Sequence, residues 1–237
     1  MSNKLIYLDN NATTRVDDRV YEAMLPYFKE EYANPSSMYQ FATTASRALK
    51  DAREQVREFF NAKSEKEIIF TSCGSESANT AIRGVLGMNK NKKHIITSKV
   101  EHPCVLNLYQ TLEKQGYKVD YIGVNSVGEL DLEQLSEAIN DDTALVSIMY
   151  ANNETGVINP IAKISDIIKS KNPNTKFFVD AVQVAGKIPI DVQECGVDLM
   201  GVSGHKFHAP KGVGALYVNS KTIITPLIIG GHQERGK

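Results

Sequence analysis

Lys176-Phe177-Phe178-Val179-Asp180 and, further on, Leu199-Met200-Gly201-Val202-Ser203-Gly204-His205-Lys206 are the two segments on which the fold reading turns. Each is a short apolar run that ends in polar, chemically capable side chains. Runs of this kind suit strands covered on both faces, as in a parallel sheet, better than strands with one wet face. Outward from them the pattern repeats. Glu67–Thr71, His94–Ser98, Lys118–Gly123, Ala144–Met149 and Ala215–Val218 read as further strands, beside Lys176–Val179 and Leu199–Val202. Between them, Asp17–Glu30, Ala42–Phe60, Glu76–Met88, Val105–Gln115, Leu132–Ile139 and Ile161–Lys169 carry apolar residues at helical spacing, each stripe read as core. Strand and helix in alternation predict an α/β domain. Gly87–Lys93 and Lys171–Thr175 read as surface turns, and Leu5–Leu8 as a short accessory strand before a polar loop.

Composition narrows the function classes. The 237 residues hold 27 basic and 28 acidic side chains, a balance that argues against binding nucleic acid through bulk charge. With 42% hydrophobic and 23% charged residues, the chain reads as an ordinary globular protein rather than a disordered one. The longest apolar run, Thr222–Ile229, is interrupted by Pro226 and falls far short of the roughly 20 residues a membrane span needs. Asn and Asp within the first ten residues do not suit a secretory signal. Cys73, Cys104 and Cys195 form no C-x-x-C pair, which fits a reducing cytoplasm better than a disulfide scaffold, and no Cys/His spacing matches a zinc site.

Ligands of open α/β sheets sit outside the carboxyl ends of strands, where Asp180 and Lys206 both fall. A lysine and a buried acid delivered to one crevice are what pyridoxal 5'-phosphate requires: the amine forms a Schiff base and the carboxylate holds the pyridinium nitrogen protonated. A buried Asp–Lys ion pair is the competing reading. In Thr71-Ser72-Cys73-Gly74-Ser75-Glu76-Ser77-Ala78-Asn79 a strand passes through a glycine- and hydroxyl-rich turn into a helix, either a phosphate seat or a plain N-cap. Ser203 and His205 are candidate added donors. No P-loop or G-x-G-x-x-G is present. His102, in Glu101-His102-Pro103, is open to stacking on a planar cofactor and moving protons, or to capping a helix. Ala151-Asn152-Asn153-Glu154-Thr155-Gly156 offers amides at a strand end or a tight turn.

These stretches, with Tyr7-Leu8-Asp9-Asn10-Asn11-Ala12-Thr13-Thr14, Asn34-Pro35-Ser36-Ser37, Val179-Asp180-Ala181-Val182-Gln183 and Gly230-Gly231-His232-Gln233-Glu234-Arg235-Gly236, occur in one order. In that order they resemble the NifS-type cysteine desulfurases, class V aminotransferase-like pyridoxal enzymes of fold type I. The resemblance implies a three-layer α/β/α large domain with a mostly parallel central sheet over 16–237. Residues 1–15 then belong to a small domain that is otherwise largely missing.

By the same resemblance Lys206 is the Schiff-base lysine, Asp180 the pyridinium partner, Gln183 and Asn153 ligands near the phenolic oxygen, and His102 the stacking imidazole. Gly74, Ser75, Ser203 and His205 grip the phosphate. The implied reaction takes sulfur from L-cysteine, leaving L-alanine and an enzyme persulfide that is passed to a sulfur-acceptor scaffold for iron–sulfur (nitrogenase-type) assembly, in a cytoplasmic homodimer. The family's nucleophilic cysteine lies on a loop beyond Lys237, so the chain is expected to be inactive alone. Cys73, Cys104 and Cys195 match scaffold, cofactor-lining or loop positions instead. Other readings are a truncated product that binds cofactor or pairs with a subunit without turnover, and another class V enzyme such as a selenocysteine lyase.

Overall fold

A computed structural model describes residues 6–237. Seven strands form one sheet: β1 (Ile68–Thr71), β2 (His94–Ser98), β3 (Lys118–Ile122), β4 (Thr143–Met149), β5 (Lys176–Asp180), β6 (Leu199–Ser203) and β7 (Gly214–Val218). Their spatial order is β1-β7-β6-β5-β4-β2-β3. β2 to β6 pair in parallel, whereas β7 runs antiparallel to both of its neighbours. β2, β4, β6 and β7 are buried along their whole length, as expected of strands covered on both faces, with the hydroxyls and His94 of β2 and β4 buried among the apolar residues.

Alternation along the strands divides the core into two layers. Val146 and Ile148 of β4 and Phe177 and Val179 of β5 face one side, where Phe60, Leu135, Ile161, Ile164 and Ile168 pack. These come from helices α3 (Thr43–Phe60), α6 (Leu132–Ala138) and α7 (Ile161–Lys171). Leu145 and Phe178 face the other side, against Ala81, Ile82, Val85, Leu108 and Leu112 of α4 (Gly74–Met88) and α5 (Pro103–Lys114). Period-2 side-chain alternation is thus what builds the three α/β/α layers.

Three expectations need correction. Asp17–Glu30 is two short helices, α1 (Asp18–Met24) and α2 (Pro26–Lys29), because Pro26 lacks the N–H that a continuous helix needs there. Neither buries a residue: Leu25 and Phe28, read as core, are exposed, Phe28 at 68%. In α3 the apolar stripe reaches the core only near its C-terminal end, where Phe60 is buried and Val56 and Phe59 pack against the cluster, whereas Leu49 is exposed. Ile6–Leu8 form no strand and are exposed, while Leu5 lies outside the described residues.

Candidate active site

Parallel pairing aligns the carboxyl ends of β4, β5 and β6, with Met149 opposite Asp180 and Asp180 opposite Gly201. The antiparallel strand β7 adds a second alignment, since Gly214 faces both Thr71 of β1 and Ser203 of β6. That close approach requires glycine: a Cβ on Gly214 would meet the Val202 carbonyl oxygen at 2.7 Å and Thr71 Oγ1 at 2.9 Å. The start of α4 is thereby brought beside the end of β6. Together these ends enclose a cavity of about 270 Å³ whose lining includes Gly74, Ser75, His102, Asn153, Asp180, Gln183, Ser203, His205 and Lys206. Every site residue predicted from the sequence meets there. Ala12, Cys73, Cys104, Met149, Ala151 and Val182 complete the wall.

At one end of the cavity, α4 has Cys73 as its N-cap and no side-chain cap among the described residues, which leaves its first amides and the positive end of its dipole uncapped. A Cβ on Gly74 would strike Val182 Cγ2 at 2.8 Å, so only glycine lets backbone approach this wall. Burial, together with the charges of Lys206 and Lys211, holds the His205 imidazole below its ordinary pKa. His205 Nδ1 lies 3.1 Å from Thr13 Oγ1.

Asp180 and Lys206 line the same hollow without pairing: among the described residues no ion pair within 4.0 Å joins them. Asp180 accepts from the Val182 N–H at 2.9 Å. Burial nevertheless pushes its carboxyl above the usual range, against the lowering effect of that N–H, His102 and Lys206. The Lys206 ammonium donates to the Asn11 carbonyl and, at 3.0 Å, to that of Ala12. Its pKa is lowered by burial and then by the charge of Lys187, against Asp180 and Asp9.

His102 caps a helix and also stands in the cavity wall. It caps α5 by accepting the Cys104 N–H on Nδ1 at 3.2 Å, which puts the ring proton of the neutral form on Nε2. The two adjacent asparagines separate in role. Asn152 is consumed by its own turn, accepting from the Glu154 and Thr155 N–H groups and donating to the Val100 carbonyl, whereas Asn153 lines the cavity. Gln183 donates to the Asn11 carbonyl at 3.1 Å.

Sequence reasoning assigned no role to Glu101, which is 4% exposed. Its Oε1 accepts from Ser98 Oγ at 2.6 Å and from the Met149 N–H at 2.9 Å, tying the chain after β2 to the end of β4. Oε2 is buried with no hydrogen-bond partner among the described residues. Burial pushes this carboxyl up to about 8, with the nearby Asp180 charge adding to it. Only its place next to His102 hinted at a role, because the backbone donor that ties it to β4, Met149, lies far along the chain. Cys104 is likewise pushed up to about 12, by burial first and then by Asp180.

An uncapped helix start, an amine, an imidazole and an acid without a paired base among the described residues surround one hollow at the strand ends of a mostly parallel α/β protein. The chain belongs to the aminotransferase class-V family, whose model matches residues 6–235. Within that family it is 53% identical over 233 residues to a cysteine desulfurase of Nostoc sp. strain PCC 7120, covering 98% of this chain and 58% of the relative. A solved NifS-like protein superposes with a TM-score of 0.96 at 46% identity, covering 98% of this chain and 64% of that one. SspA, solved in complex with cysteine, gives 0.93 at 39% identity, covering 98% and 67%. The chain therefore spans little more than half the length of the curated relative.

Proposed function

We propose that this chain is the cofactor-holding part of a cysteine desulfurase that uses pyridoxal 5'-phosphate to take sulfur from L-cysteine and leave L-alanine. The observation that carries this reading is the unpaired placement of Asp180 and Lys206 around one hollow. An ion pair would leave neither group free for a ligand; among the described residues the acid has no paired base and the amine donates to carbonyls. The residues present fit the cofactor. The α4 amides at Gly74 and Ser75, with Ser203 and His205, form a seat for its phosphate, and the bare Gly74 wall leaves that seat open. Asn153 and Gln183 offer amides to a ring oxygen, and Asp180 offers a carboxylate to a ring nitrogen. Bound there, the cofactor supplies an electron sink for the substrate Cα.

The protein's own groups do the rest. Lys206 contributes an amine whose lowered pKa favours the reactive free base, and it then stands ready to move a proton at the substrate carbon. His102, with Nδ1 engaged by Cys104 N–H, presents Nε2 for stacking and proton transfer. The cysteine bound by SspA supports L-cysteine as the substrate. On the family's pattern, sulfur goes on as a persulfide to an acceptor scaffold for iron–sulfur assembly, from a cytoplasmic homodimer in which residues 1–15 join a small domain. The three free thiols suit a reducing cytoplasm.

One observation favours a second reading, cofactor binding without turnover of cysteine. Burial keeps the Cys104 and Cys195 thiols protonated, so neither suits attack on sulfur. A single experiment addresses both readings. Pyridoxal 5'-phosphate added to the protein is expected to give a visible absorption band that Lys206→Ala abolishes. A colourless mixture, or a band that survives the substitution, removes the cofactor assignment. With L-cysteine and a dithiol reductant added, the reductant freeing persulfide sulfur as sulfide, release of alanine and sulfide supports the desulfurase reading, and a stable band without alanine or sulfide supports the second.

A further inference from the structure

Lys187 entered no functional reading of the sequence, yet it shares a partner with Lys206. The Lys206 ammonium donates to the backbone carbonyl of Asn11. Lys187 Nζ donates to the side-chain oxygen of that same Asn11 at 3.3 Å and to Gln183 Oε1 at 3.0 Å. Gln183 closes the ring by donating to the Asn11 carbonyl at 3.1 Å. Backbone geometry sets Lys187 in this place. Gly186 adopts a φ of +72°, and a Cβ there would meet Phe207 Cβ at 2.7 Å, so the turn carrying Lys187 lies directly against the residue after Lys206.

We propose that Lys187 is a positioning residue for Lys206, holding a second positive charge beside the reactive amine through Asn11 and Gln183 and thereby favouring its uncharged form. The inference rests on the reading of Lys206 as the aldehyde-capturing amine. Two like charges on one small hydrogen-bonded ring repel, and the amine that can lose its proton relieves the repulsion. The other charged groups around Lys206 are Asp180 at the end of β5, Asp9 on the N-terminal segment and His205 next to it, with Lys211 beyond. Asp180 and Asp9 favour the ammonium, and Lys187 opposes them. Because Lys187 is exposed, solvent screens the effect and keeps it modest. Condensation of the free amine with an aldehyde releases one water and involves no redox change, so its rate follows the uncharged fraction of Lys206.

The test compares wild type, Lys187→Met, Lys187→Arg and Lys206→Ala. Each is mixed with pyridoxal 5'-phosphate across neutral to alkaline pH, and the rate of appearance of the visible band is followed. Lys187→Met is expected to move the pH midpoint of that rate upward by about half a pH unit at low salt. Lys187→Arg should restore the wild-type midpoint, and added salt should shrink the difference. Coincident midpoints for Lys187→Met and wild type, or an equal shift for Lys187→Arg, overturn the proposal. A wild type without a band, or a Lys206→Ala variant that keeps one, overturns the underlying reading of Lys206 instead and this inference with it.

Discussion

Asp180 and Asp198 lie at opposite ends of the same sheet, and they differ in what surrounds them. Asp198 stands just before β6, at the amino end, where Lys169 and Lys176 reach it at 2.7 and 3.1 Å. The Phe177 N–H and Thr222 Oγ1 donate as well, at 3.0 and 3.1 Å. Burial works against its charge, but the two lysines outweigh burial and hold the carboxyl below the usual range. Asp180, at the carboxyl end, has one backbone donor, no paired base among the described residues, and a pKa moved the other way. An acid whose bonds are all supplied by the chain is part of the framework. An acid left short of them is the candidate for a role beyond the framework, as the proposed function assigns to Asp180.

The most damaging test of this contrast is Asp198→Asn. Removing the carboxylate leaves two lysines around a neutral amide, and urea unfolding at neutral pH should show a loss of about 3 kcal/mol. The folded pKa of Asp198 is depressed, so its stabilisation is present above the ordinary carboxylate range and is lost as pH falls through the depressed value. The variant should therefore converge on wild type in acid. A loss under about 1 kcal/mol would break the contrast.

Glu101 is the intermediate case, hydrogen-bonded on one oxygen and, among the described residues, without a partner on the other. Its raised pKa means that the native state keeps a proton which the unfolded chain releases. Stability should then decline as pH rises from the ordinary glutamate value of about 4.3 to about 8, and level off above. Glu101→Gln removes that slope. Its melting temperature should gain on wild type with rising pH, by an amount worth about 1–3 kcal/mol at the alkaline end. Parallel pH curves for the two proteins would mean that Glu101 is ionised in the fold.

Smallest in stability is Asp180→Asn, which keeps an acceptor for the Val182 N–H. The cofactor-free protein should change by less than about 0.5 kcal/mol, while retention of pyridoxal 5'-phosphate weakens by about tenfold or more. A large stability loss with unchanged retention would make Asp180 another framework acid.

Much of this was legible in advance. Strand positions were readable to within a residue or so, because an apolar run bounded by polar ends is a local property. His94–Ser98, for example, matches β2 residue for residue. Less legible were features whose cause lies far along the chain. Nothing near Phe28 says that its helix finds no surface to pack on, although Pro26 does announce the break. Asn152 and Asn153 are chemically identical in sequence, and only the turn geometry consumes one and frees the other. Glu101 and Lys187 were missed because, besides a local partner each, the groups that place them at the site, the Met149 N–H and Asn11, stand 48 and 176 residues away.

The sequence by itself determined which segments become strands and helices, that the sheet is covered on both faces, and which chemically capable residues end its strands. Hydrophobic period and turn chemistry act over a few residues, and they are written locally. Only the tertiary structure decided that β7 inserts antiparallel between β1 and β6, bringing the start of α4 beside Ser203. It alone left Asp180 unpaired while Asp198 was satisfied, because charge and hydrogen-bond partners are assigned by distance in space.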